Sequence, residues 1–187
     1  MELAVLLSIQ PQWCEKIASG EKTVEVRKTA PKIGIPFMCY MYCTKNGRPL
    51  VYAEPTPYNT DPLLHRTYGW NRKRADEIFG IWNGKVIGEF VCDWVLEITP
   101  HCDIDGYINQ YIHKYPAILG DDCLSFEQML AYLGNKKGFD WHISELKIYE
   151  KPKMLGEFIT PSGTGGVSGN HYLYRPPQSW CYVEELK

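Results

Sequence analysis

Within the nine residues from Gly20 to Lys28, GEKTVEVRK, the chain sets Lys22, Glu25 and Arg27 beside two valines. A lysine and an arginine flanking a carboxylate have two chemical uses. They can bind an anion while the carboxylate accepts hydrogen bonds, or they can work as an acid and base pair. From Thr23 the pattern has period two, which puts Val24 and Val26 on one face of a half-buried strand and Thr23, Glu25 and Arg27 on the other. Lys22 falls in the turn before that strand and Lys28 opens the loop after it. A purely structural use of the same residues also stands: Glu25 and Arg27, two apart on one face, can pair with each other and with neighbouring strands to hold a sheet.

A second constellation lies at Arg66, Arg72, Lys73 and Arg74, interleaved with Tyr68 and Trp70. Cations that neutralise phosphates beside rings that stack on bases are what a single-stranded nucleic-acid surface needs. The bland alternative is a solvated helix face whose charges pair with Asp76 and Glu77. The Gly163 to Gly166 stretch lacks the lysine of a phosphate-binding loop and leads to Arg175-Pro176-Pro177, so a loop over a cleft is expected there. No C-x-x-C pair occurs. Cys39 and Cys43 share a strand face with Phe37 and Met41, and His101, Cys102, His113, Asp121 and Asp122 have no metal-ligand spacing. No metal and no cofactor are expected.

The elements that must position these groups follow in chain order. Leu3 to Ile9 is a buried strand, and Pro11 suits the first turn of a short helix that Gly20 ends. Trp13, Cys14, Ile17 and Ala18 share the apolar face of that helix. Phe37 to Thr44 reads as a central strand, with a turn at Asn46-Gly47. The proline-studded segment from Leu50 to Trp82 reads as an insertion lying over the sheet. Val86 to Ile98 alternates as one long strand that must bend, with Gly88 as its corner. Asp103 to Tyr115 is expected to be a helix interrupted at Gly106, and Ser125 with Gln128 makes a capping box ahead of a helix that Gly134 ends. Trp141 to Tyr149 and Trp180 to Glu184 are further strands. The class is α+β, with a mixed or antiparallel sheet closed into a small barrel and helices in the connections.

Bulk composition narrows the classes. At 187 residues the chain suits one domain with an insertion at about 50–82. Hydrophobic content of 44% and charged content of 22% exclude disordered and fibrous classes. A net charge of -2 gives no global pull on polyanions, so any nucleic-acid site must be a local basic patch. No apolar run is long enough for a membrane span and no export signal opens the chain, so a cytoplasmic location without membrane contact is expected. The seven cysteines are expected to be free thiols.

SIQPQWCEKIASGEKTVEVRK resembles the opening of ASCH domains (activating-signal-cointegrator homology), whose signature is a helix, then G-x-K-x-x-E-x-R, then a strand. GKVIGEF resembles a later strand of that family, which carries a Gly-Glu pair. The resemblance covers about the first half of the chain. From about residue 100 an extension, with WHISELKIYEKPK and RPPQSWCYVEE, is similar to versions found in bacterial and phage proteins. The resemblance implies a PUA-like barrel that binds RNA, another single-stranded nucleic acid or a nucleotide in a cleft. Lys22, Glu25, Arg27 and Lys28 would lie in that cleft, and Tyr68, Trp70, Arg72, Lys73 and Arg74 would add contacts. Some ASCH proteins are amidohydrolases of N4-acetylcytidine with a threonine nucleophile. Glu25 stands where that threonine is expected, so no catalytic residue is assigned. The alternatives are a nucleic-acid-processing enzyme using Lys22, Glu25 and Glu89, and an interaction module for a host protein.

Overall fold

The computed structural model describes residues 2–47, 50, 81–113, 121–161 and 171–186. Strand β1 (Leu3–Ile9) leads into helix α1 (Pro11–Ala18), β2 (Val24–Arg27) and β3 (Phe37–Cys43). After the segment that follows Leu50 come β4 (Val86–Cys92), β5 (Val95–Cys102), β6 (Ile108–His113), helix α2 (Phe126–Leu133), β7 (Gly138–His142) and β8 (Ser144–Lys153). The chain ends with a two-stranded pair, β9 (Ile159–Thr160) and β10 (His171–Tyr172), and β11 (Trp180–Glu184).

One sheet has the order β11-β1-β3-β4-β8, with β1 and β3 parallel and its other neighbours antiparallel. β3 is central, as the run FMCYMYC predicts, because both its faces are apolar. Phe37, Cys39, Met41 and Cys43 pack with Val5, Leu7 and Ile9, while Tyr40 and Tyr42 pack on the other side with Ala4, Leu6 and Phe158. The parallel pairing of β1 and β3 needs a crossover, and α1 with β2 supplies it. The second sheet has the order β2-β7-β5-β6.

The expected long strand from Val86 to Ile98 divides. It leaves the first sheet after Cys92 and enters the second at Val95, so the corner is Asp93-Trp94 and not Gly88. The expected strand from Trp141 to Tyr149 divides in the same way at Ile143, between β7 and β8. The two crossings lie side by side. His142 stacks on Trp94 with ring centroids 4.6 Å apart, its Nδ1 is 2.6 Å from Asp93 Oδ1, and its N–H donates to Trp94 O. Gly88 has a different reason to be glycine: a Cβ there would lie 2.5 Å from the Lys147 carbonyl of β8. The described ladders end at β11 and β8 in one sheet and at β2 and β6 in the other, so the expected barrel is two sheets joined by chain crossings.

The segment from Asp103 to Tyr115, expected as a broken helix, is as far as His113 a turn followed by β6, which pairs with β5. Asp103 Oδ1 accepts the N–H groups of Asp105 and Tyr107, and Gly106 has φ 84°. An aspartate that ties down the next turn outcompetes a helix start. Residues 51–80 lie outside the described residues, but the chain departs and returns at one place. Trp82 N–H donates to Leu50 O, and Asn83 Oδ1 accepts from Leu50 N–H at 2.7 Å.

Candidate ligand-binding cleft

The Gly20 to Lys28 stretch folds into the floor of a cleft. Gly20 sits just past the end of α1 at φ 78°, a left-handed conformation that glycine adopts without steric cost. This turn sends Lys22 inward. Strand β2 pairs with β7 through its whole length, Val24 to Arg27 opposite His142 to Phe139.

Expected to be half-buried, β2 is buried at all four positions. Lys22, Glu25 and Arg27 are only 2%, 6% and 5% exposed, so their charges must be matched inside the protein. Glu25 stands between the two cations, with Oε1 2.9 Å from Arg27 Nη2 and Oε2 3.5 Å from Lys22 Nζ. Lys22 also donates to the Asp122 carbonyl at 2.5 Å and lies 5.4 Å from the centre of the Trp13 ring. Arg27 donates through Nη2 to Ser8 O at 3.0 Å and through Nη1 to Ser179 O at 3.2 Å. Its Nε is buried with no hydrogen-bond partner among the described residues.

Two helices wall the space above this floor, a cleft of 860 Å³. Trp13 and Gln12 come from α1; Tyr132 and Gln128 come from α2. Ser125 N-caps α2 with the expected capping box: its hydroxyl accepts from Gln128 N–H, and Gln128 Oε1 accepts from Ser125 N–H at 2.9 Å. Gly134 ends the helix, as expected. Lys28, exposed at the rim, lies 4.9 Å from the centre of the Tyr132 ring. Burial pushes the Tyr132 phenol up, against the pull of Arg27 in the other direction. Among the described residues, the charged side chains that line the cleft are three cations and one carboxylate, in a chain of net charge -2.

The turn from Asp121 to Leu124 fixes the Lys22 partner. Thr23 Oγ1 accepts from Asp121 N–H at 2.8 Å and Thr23 N–H donates to Asp121 O, while Asp122 Oδ1 accepts from Leu124 N–H. The Cys123 N–H holds the Asp121 carboxyl below its ordinary range. The Thr23 hydroxyl is thus engaged in bracing a turn, and Thr23 does not line the cleft.

Of the expected site residues, Lys22, Glu25, Arg27 and Lys28 are brought together. Glu89, offered as an acid or base partner, is not. It accepts a hydrogen bond from the Tyr149 hydroxyl and lies 3.4 Å from Lys147 Nζ, beside the second apolar cluster. Tyr68, Trp70, Arg72, Lys73 and Arg74 lie outside the described residues. In sequence Trp13 reads as part of a helix's packing face and Gln128 as part of a capping box, while Tyr132 and Ser179 carry no signal: each reaches the cleft from its own element, up to about 150 residues away from β2. Among the described residues no three His, Cys, Asp or Glu side chains converge to hold a metal. Cys14, Cys39, Cys43 and Cys92 are core residues, and burial raises the thiols of Cys14 and Cys39 well above the ordinary value.

No family model matches the chain, and no curated protein matches it. Solved structures do. A serine-to-alanine variant of ZmASCH from Zymomonas mobilis is similar over 97% of this chain and 89% of its own, with 17% identity and a TM-score of 0.54. A tyrosine-to-phenylalanine variant of the same protein covers 97% of this chain and 91% of its own, with 16% identity and a TM-score of 0.53.

Proposed function

We propose, on the premise that this chain has the ASCH fold, that it binds a nucleotide or a short single-stranded RNA segment in the cleft between α1 and α2. The observation that carries the reading is the buried Lys22-Glu25-Arg27 floor beneath a cleft walled by Trp13 and Tyr132. A cleft of 860 Å³ falls in the range of small-molecule sites, and two aromatic rings beside amide side chains suit a flat, polar ligand such as a nucleobase. The excess of cations favours a ligand that carries phosphate. The PUA-related character of the ASCH fold, with the nucleic-acid binding it implies, agrees with this chemistry.

The test is equilibrium binding of fluorescent mononucleotides and tetranucleotides of RNA and DNA, in low and in moderate salt. Saturable binding that weakens with added salt is expected, as is its loss when Trp13→Ala and Tyr132→Ala remove the walls. Absence of binding to every probe at low salt overturns the reading. The same samples incubated with N4-acetylcytidine and with RNA, then separated by chromatography, test the processing-enzyme alternative. Product formation would convert the proposal from binding to catalysis, with Lys22 and Glu25 as the pair to substitute first.

A further inference from the structure

Two segments each supply part of the cleft wall and then continue beyond it. Lys28 and Thr29 line the cleft at the start of the connection from β2 to β3, and Gln178 and Ser179 line it just before β11. The two segments are tied to each other. Trp180 Nε1 donates to Thr29 Oγ1 at 3.0 Å, the Lys32 N–H donates to the Tyr182 hydroxyl at 2.6 Å, and Arg27 Nη1 donates to Ser179 O at 3.2 Å. The later segment is also fastened to β1, where the Ser8 hydroxyl donates to Pro177 O at 2.6 Å and the Ser8 N–H to Ser179 O at 2.9 Å. With Pro176 and Pro177 restricting its backbone, this rim is in place before any ligand arrives.

Its charge is one-sided. Residues 28–37 and 171–183 contain no aspartate or glutamate, in a chain with 22 acidic residues against 20 basic ones. They carry Lys28, Lys32 and Arg175, all exposed, and none of the three forms an ion pair among the described residues. The exposed Lys16, Lys137 and Lys147, in contrast, lie 3.0, 2.7 and 3.4 Å from the carboxylates of Glu21, Glu97 and Glu89. Tyr174, next to Arg175, is 82% exposed, and Trp180 is half-buried. Cations left without carboxylates, beside an exposed ring, match a ligand that repeats phosphates and flat bases.

From this acid-free rim, continuous with the cleft wall, we propose a second binding site. It is an outer track on which Lys28, Lys32 and Arg175 hold the phosphodiester backbone of a single strand while Tyr174 stacks on one of its bases. The cleft then takes one nucleotide of a longer strand and not a free mononucleotide. The inference rests on the proposed function above and adds residues that lie outside the cleft. It also gives a use to Arg175-Pro176-Pro177: the arginine meets the backbone and the prolines hold it beside the cleft. RNA and DNA strands share this backbone chemistry.

Fluorescence anisotropy over a range of salt concentrations tests it, with a labelled diribonucleotide, a decaribonucleotide and a decadeoxyribonucleotide. The decamer is expected to bind about 10-fold tighter than the dinucleotide, or more, and with a steeper dependence on salt. Whichever of the RNA and DNA decamers binds tighter identifies the strand. Lys32→Gln with Arg175→Gln is the decisive variant, because neither side chain is hydrogen-bonded or ion-paired among the described residues and the fold does not depend on them. It should lower the slope of log K against log salt for the decamer by about 1.4, at about 0.7 per phosphate contact, and leave dinucleotide binding unchanged. Tyr174→Ala should weaken the decamer about 5-fold or more. Lys147→Gln with Lys151→Gln removes the same charge from β8, at the opposite edge of the sheet from β11, and should change neither.

A decamer that binds no tighter than the dinucleotide overturns the inference and leaves the proposed function standing. So does an equal loss from the rim and β8 variants, or a decaglutamate peptide that displaces the decamer from the rim at the decamer's own concentration, which would point to an acidic protein partner. Failure of every oligonucleotide and mononucleotide to bind at low salt overturns both.

Discussion

Glu25 Oε1 lies 2.9 Å from Arg27 Nη2, and the same Arg27 nitrogen donates to the carbonyl of Ser8 at 3.0 Å. One carboxylate therefore aims an arginine at the junction where β1 becomes α1, in a place almost closed to water. Lys22 holds the other carboxylate oxygen at 3.5 Å. The three residues act as one charged unit: Glu25 sets the positions of both cations.

Removing that carboxylate leaves two buried cations facing each other. Glu25→Gln keeps the side chain's shape and is expected to cost about 3–5 kcal/mol of stability, the penalty for breaking a buried ion pair from one side. Urea unfolding of the two proteins measures it. A loss below about 1 kcal/mol would mean that the floor is wetter than its exposure indicates.

The α2 wall depends on its cap. Ser125→Ala removes the hydroxyl that accepts from Gln128 N–H and is expected to cost about 1 kcal/mol, with ligand binding weakened because Gln128 and Tyr132 ride on this helix. Ser125→Asp keeps a cap and should restore both. If the alanine variant matches the parent in both melting temperature and affinity, the capping box does not position the wall.

Much of this was legible in the sequence where a local pattern was enough. The α1 end at Gly20, the capping box at Ser125, the central strand from Phe37 and the last strand from Trp180 each follow from neighbouring residues alone. The two sheet crossings were hidden because alternation runs unbroken through Asp93-Trp94 and through Ile143: a strand that changes sheets keeps its period of two. The polar cluster was visible in GEKTVEVRK, but its burial was not, since burial comes from α2, the Asp121 turn and Ser179, all remote in sequence. Glu89, an acid or base partner only in the enzyme alternative, is set apart from the cluster by the pairing of β4 with β8, which puts it against Tyr149 and Lys147.

Alkaline pH probes the opposite face of the central sheet. Burial is the main cause that pushes the Tyr40 phenol from 10.0 to about 12, and it raises Tyr149 as well. A folded-state value above the unfolded one means that the stability is fully present below pH 10 and is lost as pH climbs through about 12. Tyr40 is 1% exposed, and its shift corresponds to a loss on the order of 2–3 kcal/mol across that window. Tyr40→Phe should flatten part of this decline. At pH 7 it should cost about 1 kcal/mol, because the Tyr40 hydroxyl accepts from Leu186 N–H at 2.8 Å. Urea midpoints from pH 7 to 11.5 check both halves. An identical alkaline decline in the variant would acquit Tyr40.

Gly88 tests whether the close approach of β4 and β8 is required by the fold. A Cβ at this position meets the Lys147 carbonyl at 2.5 Å, and backbone in a paired strand cannot give way as a flexible side chain does. It also meets Ile148 Cδ1 and Met41 Cε, each at 3.1 Å, so all three near neighbours are crowded. Gly88→Ala is expected to destabilise by about 1–3 kcal/mol or more, the cost of overpacking a tight site. Gly156→Ala is the matched control, because nothing lies within 4 Å of its added methyl and its φ carries no strain. Differential scanning calorimetry should show a clear fall in melting temperature for the first variant and little change for the second. Equal melting temperatures would mean that β8 can move away from β4. Glu89 and Tyr149, which meet across this pairing, would then not be held by the strand register.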